Sequence, residues 1–164
     1  MPDAAPTPPS GPLSHIDASG AAHMVDVTEK TATKRKAVAA GSLRTTADVV
    51  ELISSGGLAK GDALATARIA GIQAAKRTSE LVPLCHQLAL TGVDVEFSIG
   101  ASNVDITATA RSTDRTGVEM EAMTAVSVAA LTLYDMIKAV DPAARIDDIR
   151  VLRKEGGRHG TWAR

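Results

Sequence analysis

"GVEMEAMTAVSVAALTLYDMIKAV" (117–140) contains the longest apolar stretch of the chain and predicts its longest helix. Asp141-Pro142 stops this helix, because proline cannot continue helical hydrogen bonding. Thr, Ser, Asp and Lys residues interrupt the stretch, so we do not expect it to span a membrane. Asp135 and Lys138 sit three residues apart and are therefore neighbours on one helix face. An acid and a base in such a helix form either a structural ion pair or part of a site.

Two strands precede this helix. Apolar and polar residues alternate over residues 93–99 and again over residues 104–110, with the turn sequence "GASN" (100–103) between them. This period of two predicts an antiparallel hairpin with one buried face. A first strand is predicted over residues 34–44, and a last strand runs from Asp148 to about Lys154, before a Gly-rich tail.

Two further helices lie between the first strand and the hairpin. Thr45 is the predicted N-cap of the first, with Asp48 in capping-box position, and Gly56-Gly57 ends it. Asp62 is the predicted N-cap of the second, which runs to about Arg77. The predicted buried stripe of this second helix consists of Leu64, Ala65, Ile69, Ile72 and Ala75.

The element order is strand, helices, strand, strand, helix, strand. It predicts an α+β, ferredoxin-like split βαβ fold, with an antiparallel four-stranded sheet and helices packed on one face. Residues 1–13 are rich in Pro, Ala, Ser and Gly and are predicted to be a disordered N-terminal lead-in. Residues 14–164 are predicted to form a single domain. Because this fold hosts many activities, function has to be argued from particular residues.

Composition narrows the classes of function. Lys plus Arg number 18 and Asp plus Glu number 19, without the basic surplus of a general nucleic-acid binder. The single cysteine and an N-terminus without a signal-peptide pattern lead us to expect a cytoplasmic protein. The run Lys34-Arg35-Lys36 is interpreted as a solvated strand edge. With three aromatic residues, the core is built from small side chains that bury little area each, so we expect an oligomer.

Lys60-Gly61 lies immediately before a predicted helix start. Backbone N–H groups at that terminus, together with the lysine, would hold an anion such as phosphate. The alternative is an exposed lysine in a turn. At the other end of the same helix, Lys76-Arg77 offsets the negative pole of the helix dipole, which is an ordinary structural role.

"LVPLCHQL" (81–88) places a cysteine beside a histidine. A metal site needs three or four ligands and the chain has no second cysteine, so we expect no metal. Cys85 is interpreted as a small buried group. His86 is either a donor or acceptor for a ligand or a core histidine.

Glu119 and Glu121 flank Met120 at the start of the long helix, where the dipole favours acids. Two carboxylates two residues apart point in different directions and need not share a proton. Either one could accept hydrogen bonds from a donor face such as the N–H edge of guanine. Steps of three or four from Glu121 reach Val128, Leu131, Asp135 and Lys138. Partial burial lowers the pKa of a lysine and a nearby aspartate raises it, so Lys138 could serve as a general acid or base.

Four segments taken together are far more specific than any one of them. They are "HMVDV" (23–27), "KGDALATARIAGIQAAKRTSELVPLCH" (60–86), "TGVEMEAMTAVSVAALTLYDMIKAV" (116–140) and "KEGG" (154–157). In this order, from about Ser14 to Gly160, they closely resemble the MoaC family of molybdenum cofactor biosynthesis.

The resemblance implies a lyase that converts a 3′,8-cyclised dihydro-GTP into cyclic pyranopterin monophosphate with release of pyrophosphate. A radical SAM GTP cyclase supplies the substrate in this family. The rearrangement has no redox step, so no cofactor is expected. The resemblance also implies a homohexamer, a trimer of dimers, with sites at subunit interfaces. We expect no nucleic-acid or membrane partner.

The resemblance also assigns roles to residues. Asp135 is the expected catalytic acid or base, and Lys138 and Lys60 are the expected proton-transfer residues. The substrate-binding positions implied in the same way are Leu84, Cys85, His86, Glu119, Met120, Glu121, Lys76 and Lys154. Two features depart from the usual family pattern: Gln87 replaces a frequent proline, and "KEGGRHG" (154–160) differs from a Ser- and Lys-bearing tail. The second departure puts only the finer phosphate contacts in doubt.

Two other functions suit the same fold. One is a regulatory domain that binds a small ligand at a dimer interface without chemistry, and the other is a subunit that only delivers an intermediate to the radical enzyme. The regulatory domain does not explain why Lys60, Asp135 and Lys138 all occur together.

Overall fold

A computed structural model describes residues 15–17, 19–158 and 160–164, so the predicted lead-in, residues 1–13, lies outside the described residues. The elements, in chain order, are β1 (Thr33–Arg44), α1 (Ala47–Ser55), α2 (Ala63–Ala75), α3 (Thr78–Leu81), β2 (Leu90–Ile99), β3 (Asn103–Asp114), α4 (Glu119–Ile137), β4 (Arg145–Glu155) and β5 (Trp162–Ala163). The predicted α+β class is confirmed.

The sheet has the strand order β2-β3-β1-β4-β5, and all neighbouring strands are antiparallel. The connections from β1 to β2 and from β3 to β4 each pass over one strand, which is the split βαβ arrangement. The two-residue strand β5 pairs Trp162 with Lys154 and is a fifth strand beyond the predicted four. Gly156 and Gly157 turn the tail back at φ angles of 95° and 80°. A strand of two residues is too short to show an alternation of apolar and polar residues, so the sequence pattern did not predict β5.

The first helix begins one residue later than predicted. Its N-cap is Thr46, whose hydroxyl accepts a hydrogen bond from the Val49 backbone N–H at 3.4 Å, so the predicted cap at Thr45 is wrong. The Thr45 hydroxyl instead donates to the Asp141 carboxylate at 2.7 Å. This bond ties the start of α1 to the loop that follows α4.

The predicted C-terminal end of α1 and the predicted N-cap of α2 are confirmed. Gly56 has left-handed geometry at the C-cap of α1, where glycine carries no steric penalty. The Asp62 carboxylate accepts from the Ala65 backbone N–H at 2.9 Å and caps α2. The helix α2 ends at Ala75, two residues before the predicted Arg77.

The second helix packs through its smallest residues. Its buried residues are Ala63, Ala67, Gly71, Ala74 and Ala75. This face lies against α4 so closely that a Cβ added at Gly71 would be 2.8 Å from the Ala125 carbonyl oxygen. The predicted stripe is therefore only partly correct: Ala75 is buried, and Leu64 and Ile72 are partly buried against the core, whereas Ile69 is 59% exposed. The most buried positions of α2 carry small side chains, because the close contact with α4 leaves no room for larger ones.

The long helix α4 is the centre of the core. It covers the sheet so closely that a Cβ at Gly41 would be 2.8 Å from Val126 Cγ1. It is two residues shorter at its start and three shorter at its end than the predicted 117–140. Its length and hydropathy would suffice to cross a membrane, but 56% of that window is buried inside the fold. We therefore describe α4 as a core helix.

Strand β4 begins at Arg145, three residues before the predicted Asp148. The register between β1 and β4 shifts between Ala40 and Ser42, and Asp148 has a φ of 59°. This bulge interrupts the alternation of apolar residues, so the sequence pattern shows only the later part of the strand.

Candidate functional site

The antiparallel contact of α2 and α4 brings a lysine from before α2 to the C-terminal end of α4. Gly61, at a φ of 93°, donates its backbone N–H to the Leu58 carbonyl at 3.0 Å and forms a tight turn. Lys60 precedes this glycine, and its ammonium reaches Asp135 in the last turn of α4.

Asp135 joins two lysines. Its Oδ2 is 2.9 Å from Lys60 Nζ and its Oδ1 is 2.7 Å from Lys138 Nζ. Lys60 also donates to the Asp135 backbone carbonyl at 2.7 Å. The structure thus brings together the three side chains for which proton chemistry was predicted. We call these three residues the proton centre.

The charges of the proton centre stabilise one another. Hydrogen bonds from Lys138 and Lys60 lower the pKa of Asp135 to about 2, and the bond to Asp135 raises the pKa of Lys138. Of the two opposing effects on Lys138, the nearby carboxylate therefore outweighs partial burial. The side chains of Lys60, Asp135 and Lys138 are 44%, 53% and 52% exposed. Ion pairs this exposed contribute little to folding stability, so stability does not explain the arrangement.

A second cluster lies at the N-terminal end of α4. A pocket of about 620 Å³, which we call the apolar pocket, is lined by Leu84, Cys85, His86, Glu119, Met120 and Glu121, together with Val25, Val27, Val82 and Leu88 among others. Six of the predicted substrate-binding residues are therefore neighbours. Its volume is in the range of small-molecule sites.

Glu121 is the buried carboxyl group of this pocket. The residue is 4% exposed, and burial, with the Glu119 charge as a lesser cause, raises its pKa to about 7. Burial also raises the pKa of the Cys85 thiol, and the Glu121 charge adds to this effect. A thiol with a raised pKa is a poor nucleophile. Cys85 is only partly buried, so the prediction of a small buried group is approximate.

His86 is only partly buried, so it is not a core histidine. It already makes one hydrogen bond within the protein. Its half-buried ring lines the apolar pocket, and Nε2 is 2.7 Å from the Val25 carbonyl oxygen.

A pocket of about 750 Å³ adjoins the apolar pocket, and we call it the basic pocket. Its cationic residues are Lys30, Arg35, Lys36, Arg115, Lys154 and Arg158. Lys154 Nζ lies 3.1 Å from Glu119 Oε1, so this ion pair sits where the two pockets meet. Gly156, Gly157 and Gly160 form part of its wall. The Lys34 carbonyl and the Arg35 side chain cover Gly156 and Gly157, whereas nothing lies within 4 Å of a Cβ built at Gly160. Three acids, Glu29, Glu119 and Glu155, also line this pocket, so its six cations exceed its acids by three. Such a surplus of positive charge suits a polyanion.

Of the cations in the basic pocket, only Lys154 was predicted to bind substrate. Arg35 and Lys36 belong to the run that was interpreted as a solvated strand edge. Lys30, Arg115 and Arg158 come from three separate segments, and no local pattern in the sequence joins them. Lys30 does lie close behind "HMVDV" (23–27), which is the one local indication that the sequence offers.

Two predicted groups stand apart from the pockets. Lys76 is exposed at the C-cap of α2 and does not line either pocket within the described chain. The proton centre does not line them either. Asp135 follows Glu121 by 14 residues on α4, which corresponds to roughly 21 Å along the helix axis. A single chain therefore holds the predicted site as two separate parts.

The fold and these clusters define a class: a ferredoxin-like α+β protein with a carboxylate–lysine centre and two adjoining pockets, one of them basic. The sequence model of the MoaC family matches residues 24–157. The chain belongs to the MoaC family.

Proteins from several bacteria are similar to this chain over nearly their whole length. Cyclic pyranopterin monophosphate synthase 2 of Mycobacterium tuberculosis is 79% identical over 155 residues, which are 94% of this chain and 93% of the relative. Cyclic pyranopterin monophosphate synthase of Streptomyces coelicolor is 58% identical over 156 residues, covering 95% and 92%. The enzyme of the same name from Chloroflexus aggregans is 55% identical over 154 residues, covering 93% of each.

Proposed function

We propose that this chain is a lyase that converts a 3′,8-cyclised dihydro-GTP into cyclic pyranopterin monophosphate and pyrophosphate. The observation that carries this proposal is the 79% identity, over 94% of the chain, to a relative named cyclic pyranopterin monophosphate synthase 2. The conversion is an early step of molybdenum cofactor biosynthesis. It involves no redox change, so the protein has to supply binding, orientation and proton transfer.

The two adjoining pockets suit the two halves of this substrate. The purine-derived ring fits the apolar pocket, where Glu119 and Glu121 accept hydrogen bonds from its N–H edge. Leu84, Cys85, His86 and Met120 form the wall around that ring. The triphosphate occupies the basic pocket, where lysine and arginine side chains make charge-assisted hydrogen bonds. Lys154 contacts the phosphates, and Lys76 stays a prediction for an assembled protein.

The proton centre performs the acid and base steps. With a pKa of about 2, Asp135 is a carboxylate at neutral pH and acts as a base or as the group that orients the lysines. The proton donors of the resting site are therefore the ammonium groups of Lys138 and Lys60, each within 3 Å of a carboxylate oxygen. The lowered pKa of Asp135 and the raised pKa of Lys138 stabilise the charged forms of both groups, so bound substrate has to weaken this pairing before either group exchanges a proton readily.

These roles require two copies of the chain. A proton donor has to lie within about 3 Å of the atom that it protonates. A ring in the apolar pocket is therefore out of reach of Asp135 in the same chain, which lies roughly 21 Å farther along α4. We assign the pockets of one chain and the proton centre of another to one shared site.

The exposed side of α4 is the surface on which the copies meet. Met120 is 38% exposed and Leu131 is 59% exposed, and the half-buried Ser127 and Val128 lie between them. Val128 is midway between Glu121 and Asp135. A two-fold axis at this point would align two α4 helices antiparallel and set each proton centre beside the partner's apolar pocket.

The assembly and the source of the substrate that we propose are those of the MoaC family. The assembly is a homohexamer, a trimer of dimers, in which each dimer holds two shared sites. A radical SAM GTP cyclase supplies the cyclised nucleotide. The protein acts in the cytoplasm, in agreement with its single cysteine.

One assay tests the proposed function. Purified full-length protein is incubated with the cyclised nucleotide, and pyrophosphate and an oxidisable pterin are measured together. We expect both products in equal amounts, and no product without protein. Saturable binding of the nucleotide without either product would contradict the proposal and favour a regulatory ligand-binding domain.

A further inference from the structure

The segment before β1 forms a wall of the proposed substrate site without any regular structure of its own. Residues 21–32, which we call the strap, contain no helix and no strand. Val25 and Val27 nevertheless line the apolar pocket, and Lys30 lines both pockets. The position of the strap therefore decides whether both pockets are complete.

Most hydrogen bonds of the strap are local. His23 donates its backbone N–H to the His15 carbonyl at 3.0 Å, and the Asp26 carboxylate accepts from Thr28 N–H and Oγ1 at 2.8 and 2.6 Å. The Lys30 backbone N–H likewise donates to the Val27 carbonyl at 3.0 Å, within the strap. Such bonds shape the strap but do not attach it to the rest of the fold.

One side-chain hydrogen bond crosses from the strap to the folded body. Two residues that lie just before the strap in the chain also bond to it: the Asp17 carboxylate accepts from the Ala21 backbone N–H at 3.0 Å, and His15 Nδ1 is 3.4 Å from the His23 carbonyl oxygen. Among the described residues from 33 onward, the only side chain that bonds to the strap is that of His86, whose Nε2 is 2.7 Å from the Val25 carbonyl oxygen. Val25 and Val27 are only half-buried, so apolar contact contributes a modest share of the attachment. The pocket-lining loop and the strap thus meet at one polar contact.

The chemistry of this contact defines what His86 can do. A carbonyl oxygen only accepts, so Nε2 carries the proton and donates it to Val25. While the strap is in place, this nitrogen is engaged and is not available to exchange a proton with substrate. We infer that His86 is a positioning residue that holds the strap against the apolar pocket. This inference rests on the proposed function only for the statement that the pocket binds the nucleotide.

The inference predicts a particular kinetic pattern. Loss of the Val25 contact would leave the proton centre intact but would loosen the walls of both pockets. KM for the cyclised nucleotide would therefore rise about tenfold, the value of one hydrogen bond, while kcat would change much less. A histidine that exchanged a proton with substrate would instead be required for kcat.

Three variants of the full-length chain separate these possibilities. His86→Ala removes the ring, His86→Phe keeps a ring without a donor, and His86→Gln supplies an amide N–H of similar reach. Gln87→Ala, at an exposed neighbouring residue, is the matched control. Hydrogen exchange of residues 23–30 is measured without substrate, and KM and kcat are measured with the cyclised nucleotide.

We expect the Ala and Phe variants to exchange about tenfold faster over residues 23–30 and to show the raised KM, with Gln close to wild type in both. Unchanged exchange in the Ala and Phe variants would overturn the inference, as would a loss of kcat that Gln does not rescue. Exchange needs no turnover, so it decides the inference even if the wild-type protein forms no product. Absence of product from the wild type would instead contradict the proposed function.

Discussion

Each oxygen of the Asp135 carboxylate faces one ammonium group, Oδ2 that of Lys60 and Oδ1 that of Lys138. This pairing answers the question raised by an acid and a base within an apolar helix. The i,i+3 spacing correctly predicted that Asp135 and Lys138 are neighbours, but no spacing rule connects either residue to Lys60. That contact exists because α2 packs antiparallel to α4, which is a property of the tertiary structure.

Replacing Asp135 with Asn keeps the shape of the side chain and removes its charge. We expect kcat/KM for the cyclised nucleotide to fall by about 100-fold or more, because the base and the partner of both lysines are lost. The melting temperature should change little, since the side chain is 53% exposed. Pyrophosphate release and thermal unfolding are the measurements.

Glu80→Gln is the control for this variant, since it removes a similar exposed i,i+3 ion pair, with Arg77 at 2.9 Å, outside the site. It should keep wild-type activity. Near-normal turnover by Asp135→Asn would remove this residue from the mechanism.

The buried Glu121 makes stability depend on pH. Its pKa in the folded protein is about 7, above the ordinary value of 4.5, so folding favours the protonated form. The stabilisation is complete below pH 4.5 and is lost as the pH rises through 7. Between these values, the wild-type free energy of unfolding should decline relative to that of Glu121→Gln by up to about 1.4 kcal/mol per pH unit.

Urea unfolding at several pH values measures this difference. Glu51→Gln, at an exposed position on α1, should leave the pH dependence unchanged. Parallel curves for the wild type and Glu121→Gln would contradict the raised pKa.

The sequence predicts elements well where packing follows a regular period. The alternation in β3 correctly predicted four buried residues, because one face of that strand lies under α4 and the other does not. In α2 the predicted stripe is only partly correct, because contact with α4 places alanine and glycine at the most buried positions and leaves Ile69 exposed. The start of β4 was not predicted, because a bulge at Asp148 interrupts the alternation of apolar residues. The N-cap of α1 is Thr46 and not Thr45, whose hydroxyl bonds to the distant Asp141.

Gly71→Ala tests the close contact between α2 and α4. The added Cβ would be 2.8 Å from the Ala125 carbonyl oxygen and 3.2 Å from Ala129 Cβ, and rigid backbone cannot yield without moving a helix. We expect a loss of about 1–3 kcal/mol in the free energy of unfolding, measured with urea, despite the better helix propensity of alanine.

Gly92→Ala is the matched control, because its Cβ would approach only the flexible Arg111 side chain, at 3.5 Å. It should stay within about 0.5 kcal/mol of wild type. Equal stability of the two variants would contradict the close packing.

At the scale of the whole molecule, the site is divided between the two ends of α4. The family resemblance identified most of the residues, and the structure groups six of them in the apolar pocket and three in the proton centre. Apart from Lys154, the basic pocket could not be predicted, because its cations come from the strap, β1, the loop before α4, the end of β4 and the tail. The position of Lys30 behind "HMVDV" (23–27) is the one local indication in the sequence, and no local pattern indicates that the other segments meet.

Leu131→Lys tests the surface on α4 through which the copies are proposed to meet. Leu131 is 59% exposed in the single chain, so the substitution should leave the fold of each chain intact. At the proposed two-fold contact it would bury a charge without a partner, which is strongly unfavourable. We expect smaller particles in sedimentation and loss of pyrophosphate release.

Ser55→Glu adds a charge at an exposed position at the end of α1 and serves as the control. It should keep both the assembly and the activity. A Leu131→Lys protein that assembles and turns over normally would place the contact elsewhere.

The most direct test of the shared site mixes two variants, each of which we expect to lose most of its pyrophosphate release when tested alone. Asp135→Asn lacks a working proton centre but keeps its pockets, and Glu121→Gln lacks the buried carboxyl group of the apolar pocket but keeps its proton centre. Unfolded together and refolded in equal amounts, they should regain about one quarter of wild-type pyrophosphate release, because half of the dimers then hold one intact site of two. Activity that stays at the level of the separate variants would contradict a site shared between chains.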